Sequence, residues 1–197
     1  MTTSSVMFVN EGMFAVSDEA EEPVETARWS NGLAAPMQYG AWILTGINTG
    51  NVRVRADVLD AAPPVDTSSW DEIVEISVQS VLGDLRIHSG YEITPDDLPV
   101  LNPCGPGWYR MRVHARGRSV NPDGVSQEPV EDYLITIWPQ EQAASEVLRT
   151  SERIEEALRI NAGETPGKPQ PSPEQEPAPK PPITAERARL LRHLKRG

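Results

Sequence analysis

Hydrophobic and polar positions alternate most regularly between Gly107 and Arg116. Side chains on a strand point alternately to the two faces of a sheet, so the pattern predicts a strand with one core face and one solvent face. A Gly/Pro turn at 105–107 precedes this strand. The predicted core face holds Tyr109, Met111, Val113 and Ala115, and the predicted solvent face holds Trp108, Arg110, Arg112, His114 and Arg116.

Shorter runs with the same character predict further strands. They lie at 6–9, 13–16, 41–47, 52–58, 70–78, 82–88 and 132–138. The run at 41–47 is apolar on both parities, which predicts burial on both faces, and a turn at 48–51 joins it to 52–58 as a predicted hairpin. The stretch 29–39 contains Pro36 and predicts an irregular loop. Because strands that follow each other usually pair antiparallel, the strand at 132–138 should lie beside Gly107–Arg116.

Seven or eight short strands separated by turn-rich loops predict an all-β fold, an antiparallel β-sandwich over residues 1–139. The periodicity then becomes helical. Val147, Ile154 and Leu158 form one stripe, which predicts a helical extension over 140–162, although part of 140–150 could instead be extended.

The end of the chain has a different composition. Residues 163–182 are rich in proline and almost free of apolar side chains, so they should form a disordered, extended linker. Residues 183–197 then predict a short basic amphipathic helix. Its apolar face is Leu190, Leu191 and Leu194, and Arg187 belongs to its basic rim.

Charge divides the chain of 197 residues into two parts. Residues 1–162 contain 11 arginines, no lysine and 25 acidic residues, a net charge of −14, whereas residues 163–197 carry +3. An acidic body argues against direct binding of nucleic acid, because affinity for nucleic acid comes mainly from cations on the phosphates. The same charge favours a basic protein partner.

No motif of catalysis or cofactor binding is present. The three histidines are scattered, the single cysteine, Cys104, has no histidine nearby in sequence, and the loop with Asp96 and Asp97 lacks the further ligands of a hard-cation site. We therefore expect neither an enzyme nor a cofactor. No run approaches the roughly 20 apolar residues of a membrane helix, and no secretory signal opens the chain, so we expect a cytoplasmic protein without a membrane span.

Three groups of residues are candidates for binding a partner. Trp108, Arg110 and Arg112 form an aromatic and basic row on an acidic body, and carboxylates such as Glu131, Asp132 or Glu72 could pair with it. The terminal helix could dock on another protein, on a membrane surface or on the chain's own body. The acidic group is Asp18, Glu19, Glu21 and Glu22, and the group on the terminal helix is Arg187, Leu190, Leu191 and Leu194.

The order of the predicted strands resembles the competence protein J family over residues 6–139. The resemblance is carried by Met13-Phe14-Ala15-Val16, an acidic loop that ends near Trp29, the strands at 40–47 and 52–58, and the segments Gly107-Trp108-Tyr109-Arg110 and Tyr133-Leu134-Ile135-Thr136-Ile137-Trp138-Pro139. Members of that family are small acidic β-sandwich proteins that inhibit a DNA-entry nuclease. The resemblance implies an inhibitor of a basic nuclease. It assigns no site residue, and the helix, linker and basic tail depart from the family pattern.

Three functions follow as hypotheses. The first is an acidic inhibitor or immunity-like module that binds a basic protein such as a nuclease. The second is a structural adaptor, tethered through its C-terminal helix. The third is a carbohydrate-binding sandwich that uses Trp108, whose side chain falls on the predicted solvent face.

Overall fold

In the computed structural model, the chain forms two β-sheets that enclose one hydrophobic core. The structure describes residues 3–18, 24–89 and 97–162. In chain order the first strands are β1 (Thr3–Val9), β2 (Met13–Asp18), β3 (Ala34–Met37), β4 (Gly40–Leu44) and β5 (Thr49–Val58). The next are β6 (Glu72–Ser80), β7 (Leu85–His88), β8 (Gly107–Arg116), β9 (Val125–Ser126), β10 (Asp132–Pro139) and β11 (Glu146–Arg149). A 3-10 turn covers Val24–Thr26, and one α-helix, α1, covers Glu152–Asn161.

The predicted all-β, sandwich-like fold is confirmed. Sheet A has the order β1-β5-β10-β8-β6-β11, with β9 also pairing with β5, and sheet B has the order β3-β4-β2-β7. The inner faces of both sheets contribute to the same buried cluster, where the rings of Phe14 from sheet B and Tyr133 from sheet A meet edge to face at 5.2 Å. The inward-facing side chains of the two sheets therefore fill the space between them.

Strand β8 has the predicted bounds and the predicted core face. Tyr109, Met111, Val113 and Ala115 are all buried in the core. The predicted pairing is also confirmed, because β10 runs antiparallel to β8 from Asp132, opposite Arg116, to Pro139, opposite Tyr109. On its other side β10 pairs with β5 in parallel, which places two segments that are far apart in sequence side by side.

Two predictions about the chain before β5 are wrong. Strands β4 and β5 do not form a hairpin: β4 belongs to sheet B and β5 to sheet A, so the turn between them carries the chain from one sheet to the other. The stretch 29–39 is not wholly irregular either, because β3 lies within it and pairs antiparallel with β4. Gly40 makes that tight β3–β4 connection possible, since its φ is +115°. Its missing side chain also lets β4 lie against β2, because a Cβ there would be 1.9 Å from the carbonyl oxygen of Val16.

The segment after β10 is part strand and part helix. Strand β11 pairs antiparallel with β6, so the extended alternative for 140–150 is the one that the structure adopts over 146–149. The helix begins only at Glu152, with Ser151 as N-cap, whose hydroxyl accepts a hydrogen bond from the amide of Ile154. Ile154 is fully buried in the main core, whereas Leu158 is 40% exposed. Ile154 is thus the anchor that holds α1 on the sandwich.

Candidate functional site

The outer face of sheet A is covered along its middle by two chain segments. We call residues 63–70 and 140–146 the cover segments. Arg112 donates from its guanidinium to the carbonyls of Pro63, at 3.1 Å, and Pro64, at 3.2 Å. Arg110 donates to the carbonyl of Ala144 at 2.8 Å. Both segments therefore lie on outward-pointing arginines of β8.

The prediction that Arg110 and Arg112 face solvent is wrong. Both point away from the core, as the alternation requires, but the cover segments leave them only 1% and 3% exposed. Glu75 on β6 lies between them, 3.0 Å from Arg110 Nε and 2.6 Å from Arg112 Nε. Arg112 also lies over the ring of Trp138, 5.2 Å from its centroid. The shared carboxylate of Glu75, several carbonyls and, for Arg110, the exposed carboxylate of Glu146 thus compensate two buried guanidinium groups.

The last two residues of the outward row of β8 differ in exposure: His114 is buried and Arg116 is exposed. The ring of His114 lies 5.4 Å from that of Trp70, and burial lowers the pKa of its imidazole. Arg116 is exposed and pairs with Asp132 at 2.8 Å, one of the pairings that the sequence predicts. The pairing of the row with Glu72 or Glu131 is wrong.

Those two carboxylates have other partners. Glu72 bonds Arg118 and the hydroxyl of Ser151. Glu131 accepts from the amides of Gly46, at 2.9 Å, and Ile47, at 2.6 Å. Both carboxylates therefore join segments that are distant in sequence, and neither pairs with the outward row of β8.

Asp18, predicted as part of an acidic binding loop, is an internal anchor. It is 1% exposed. Its carboxylate accepts hydrogen bonds from the Ser80 hydroxyl at 2.8 Å and from the Leu82 amide at 2.9 Å, so it closes the turn between β6 and β7. A partner has no access to it. The other candidates of that loop, Glu19, Glu21 and Glu22, and those of the terminal helix, Arg187, Leu190, Leu191 and Leu194, lie outside the described residues.

Trp108, at the start of β8, lines an open groove of about 760 Å³ together with part of the cover segment 140–146. The groove follows the side of the sandwich where β3 of sheet B approaches β6 of sheet A. Its size is within the range of ligand sites in proteins. The lining residues are Thr26, Arg28, Ser30, Pro36, Met37, Gln38, Ser77, Gln79, Trp108, Gln142, Ala143, Ala144 and Ser145.

The groove combines an aromatic ring with neutral hydrogen-bonding groups. Trp108 is partly exposed, and the amides of Gln79 and Gln142 supply both donors and acceptors. Arg28 is the one charged side chain among the described lining residues. Exposed carboxylates adjoin the lining residues in sequence, at Glu25, Glu141 and Glu146. The arrangement can bind an uncharged, hydrogen-bonding ligand segment whose neighbours are cationic.

One wall of the groove is held by the buried arginine network. The hydroxyl of Ser77 accepts from the amide of Ala143 at 3.0 Å, and Arg110 donates to the carbonyl of Ala144 at 2.8 Å. Arg110 also contacts Glu146 at 3.3 Å. Arg110 therefore positions the groove wall from beneath, and it does not itself line the groove.

Two of the lining residues, Ser77 and Gln79, can be placed by the pattern of the sequence alone. On β6, Val74, Ile76 and Val78 are core residues, so Ser77 and Gln79 fall on the outward parity beside Trp108. The alternation along 74–79 could have placed them there. Nothing in the sequence places Arg28 or residues 142–145 at the same site, because their positions depend on how the loops fold back.

A second, smaller cavity of about 270 Å³ adjoins the start of α1. Its lining mixes Asp71, Glu72 and Glu152 with Arg118 and Arg153. Arg118 already donates to Glu72 and, at 2.9 Å, to the carbonyl of Gly32. Charges of both signs therefore neutralise each other there, which favours neither an anion nor a cation.

Comparison with known proteins assigns no family. No family model matches the chain, and no curated protein matches it. A solved structure entitled "Crocagin biosynthetic gene J" is similar over 72% of this chain and 98% of that chain, with 12% sequence identity and a TM-score of 0.43. The resemblance to the competence protein J family is therefore wrong, because the solved structure is of a different protein and no family model supports the assignment.

One further observation concerns membranes. Within residues 3–18, 24–89 and 97–162, no helix has the length and apolar character required to cross a bilayer.

Proposed function

We propose that this chain is a non-enzymatic binding module that holds a basic protein partner in the groove beside Trp108. The observation that carries the proposal is the juxtaposition of a partly exposed tryptophan with neutral amide and hydroxyl groups in a groove of about 760 Å³. Tryptophan is among the residues that contribute most to binding energy when a partner covers them. The wall fixed by Arg110 limits the ordering cost of binding.

The distribution of charge supports a basic partner. At least six arginines among the described residues are engaged in internal ion pairs with carboxylates: Arg53, Arg86, Arg110, Arg112, Arg116 and Arg118. Three exposed carboxylates adjoin lining residues of the groove in sequence, at Glu25, Glu141 and Glu146, and the last of them pairs with Arg110. An acidic surface steers a basic protein towards the groove, and the neutral groove can then accept an uncharged segment of it.

The side chains in the groove support binding in place of catalysis. None of the described lining residues is His, Cys, Asp or Glu. General acid–base chemistry requires a titratable group within hydrogen-bond reach of the reacting atoms, and a serine nucleophile requires such a base beside it. Ser77, the buried serine of the groove, is instead bonded to the backbone of Ala143.

The proposal is tested by capturing protein partners on the immobilised full-length chain. Trp108→Ala and Trp29→Ala are the matched pair of variants. Trp29 is 40% exposed and lies outside the groove lining, so it controls for the loss of any surface tryptophan. The unmodified chain and Trp29→Ala should retain a basic protein that elutes as salt is raised. Trp108→Ala should bind it roughly 30-fold more weakly, the loss that corresponds to about 2 kcal/mol at a central tryptophan. Retention of nothing, or of acidic proteins alone, would reject the proposal.

A carbohydrate is the second candidate ligand, because Trp108 lies beside Gln79 and because the groove is lined by hydroxyls and amides. An indole face stacks on a sugar ring, and amide side chains pair with sugar hydroxyls. A glycan array probed with the full-length chain and with Trp108→Ala tests whether the groove binds a carbohydrate. Binding to a glycan that disappears in the variant would favour the carbohydrate, and an array without a hit would remove it.

The adaptor hypothesis concerns residues outside the described part of the chain, and it stays a prediction. Deleting residues 164–197 should abolish one interaction of the full-length chain while the groove of the sandwich keeps its ligand. If the deletion variant retains every partner of the full chain, the terminal segment is not a tether.

A further inference from the structure

We propose that the segment bound in the groove is an extended polypeptide that adds as a strand to the open edge of β6, at residues 76–80. This inference rests on the proposed function and specifies how the partner is recognised. An unpaired strand edge presents a row of backbone donors and acceptors, and many binding proteins use such an edge to pair with an extended peptide.

The edge is open because β11 covers only part of β6. The register of β11 against β6 runs from Glu146, opposite Glu75, to Arg149, opposite Ile73. On the side away from β8, residues 76–80 have no strand partner among the described residues. β3 approaches β6 but pairs with β4, in the other sheet. The outward side chains of this stretch, Ser77 and Gln79, line the groove.

The chain before β11 leaves this edge because it is drawn over the outer face of the sheet. Ala143 is bonded through both its amide and its carbonyl to the hydroxyl of Ser77, at 3.0 and 3.2 Å. The carbonyl of Ala144 accepts from Arg110 at 2.8 Å. Residues 142–145 thus become a wall of the groove and do not continue the pairing of β11 with β6.

A strand that pairs with this stretch of β6 would be short. Five residues of β6, from Ile76 to Ser80, correspond to about 17 Å of extended chain at roughly 3.3 Å per residue. The added strand would lie between the wall at 142–145 and the segment that contains Met37 and Gln38. Its side chains would point alternately to the outer side of sheet A and to the side of β3.

The charges around the groove define the class of peptide. The described lining is neutral apart from Arg28, and burial of an unpaired charge in such a groove is costly. Exposed carboxylates adjoin the lining residues in sequence, at Glu25, Glu141 and Glu146. The peptide that fits has an uncharged centre with β-branched or aromatic residues, flanked by lysine or arginine.

The experiment begins with a random linear peptide library that is selected on the immobilised full-length chain. Peptides retained by the unmodified chain and by Trp29→Ala, but lost from Trp108→Ala, are taken forward. Each such peptide is then synthesised with a single N-methyl group at successive backbone amides, and its Kd is measured by titration calorimetry. Strand addition predicts a period of two, because alternate amides of a strand point towards β6 and the intervening ones point away. Methylation of the first set should weaken binding about tenfold or more, and methylation of the second set should change it less than about threefold.

The outcomes distinguish strand addition to β6 from the more general proposal that the groove binds a polypeptide. Alternating sensitivity supports strand addition. Peptides that depend on Trp108 but show no alternation overturn strand addition and leave the groove as the binding site. If no selected peptide depends on Trp108, both strand addition and the groove as a polypeptide site are overturned.

Discussion

Trp108 and Arg110 are two residues apart on one strand and point to the same face of one sheet, yet their surroundings differ completely. Trp108 is partly exposed and lines a groove, whereas Arg110 is 1% exposed and holds a neighbouring segment in place. The difference comes from how the cover segment 140–146 meets the two residues. The carbonyl of Ala144 lies on the Arg110 guanidinium, whereas the segment contacts Trp108 through the amide of Gln140, which donates to the Trp108 carbonyl at 3.3 Å, and leaves the indole partly exposed. Facing outwards from a sheet is therefore distinct from being exposed to solvent.

The comparison also explains why the covered face is basic. A loop that crosses the outside of a sheet brings backbone carbonyls that need donors. Arginine supplies five N–H donors in a planar fork, and here Arg110 and Arg112 bond the carbonyls of both cover segments. The arginine row, which in the sequence suggests a ligand surface, instead forms the attachment of the cover.

The largest expected effect comes from removing the charge that compensates this row. Glu75→Gln should lower the free energy of unfolding by about 3–5 kcal/mol, because it leaves two buried guanidinium groups without their shared carboxylate. Urea unfolding followed by circular dichroism measures it. A loss below 1 kcal/mol would mean that the carbonyls and Glu146 alone compensate Arg110 and Arg112.

The next effect distinguishes the two tryptophans at either end of the row. Trp70→Ala should cost about 3 kcal/mol, because Trp70 is 8% exposed and its ring contacts His114 and the guanidinium groups of Arg55 and Arg116. Trp108→Ala should cost less, since its ring is partly in solvent already. Thermal unfolding of both variants in the same buffer gives the difference, and equal losses would contradict the division between covered and open surface.

A smaller effect should appear in the dependence of stability on pH. Burial lowers the pKa of His114 below its usual value of 6.5, and burial does the same for His88. The unfolded chain then binds more protons than the folded one below pH 6.5, so the stabilising contribution is complete above that pH and is lost as pH falls towards the folded pKa.

The measurement compares urea unfolding at several values between pH 8 and pH 5, a range that lies above the ordinary pKa values of Asp and Glu side chains. The unmodified chain should lose stability over this range, and His114→Gln should lose less, with the remainder due to His88. An identical slope for the two proteins would place His114 in contact with water and thus outside the cover.

The smallest effect is expected at an ion pair beyond the cover. Asp84 and Arg86 are 2.8 Å apart, with side chains 39% and 41% exposed. Asp84→Asn should change the free energy of unfolding by less than about 1 kcal/mol, because water solvates both groups in the folded and unfolded states. This variant is the matched control for Glu75→Gln, and a comparable loss in both would remove the distinction between covered and exposed pairs.

Patterns within one element were sufficient to predict much of the fold. Alternation identified β8 and its core face, and adjacency in sequence identified its pairing with β10. Prediction failed where the outcome depends on contacts between distant segments. The turn after β4 could equally close a hairpin or change sheets, and the sequence around Asn48 does not distinguish the two.

The candidate site was predictable in part for the same reason. Trp108 was identified because its parity differs from that of the core residues on the same strand. The burial of Asp18 could not be foreseen, since an aspartate beside an acidic loop is usually solvated, and its partners at Ser80 and Leu82 are more than 60 residues away. The wall at 142–145 likewise depends on Ser77 and Arg110.

The parallel pairing of β5 with β10 has a consequence for the order in which the strands can pair during synthesis. Arg53 lies opposite Asp132, so a strand completed early in synthesis must wait for one that leaves the ribosome much later. Until then β5 has a partner in β1, but on its other side β9 pairs with only Thr49 and Gly50, and the rest of that edge is unpaired. Such an edge can recruit a strand from another nascent chain. We expect fragments that end before Asp132 to aggregate, and folding of the complete chain to be slow, as is typical of topologies with distant contacts.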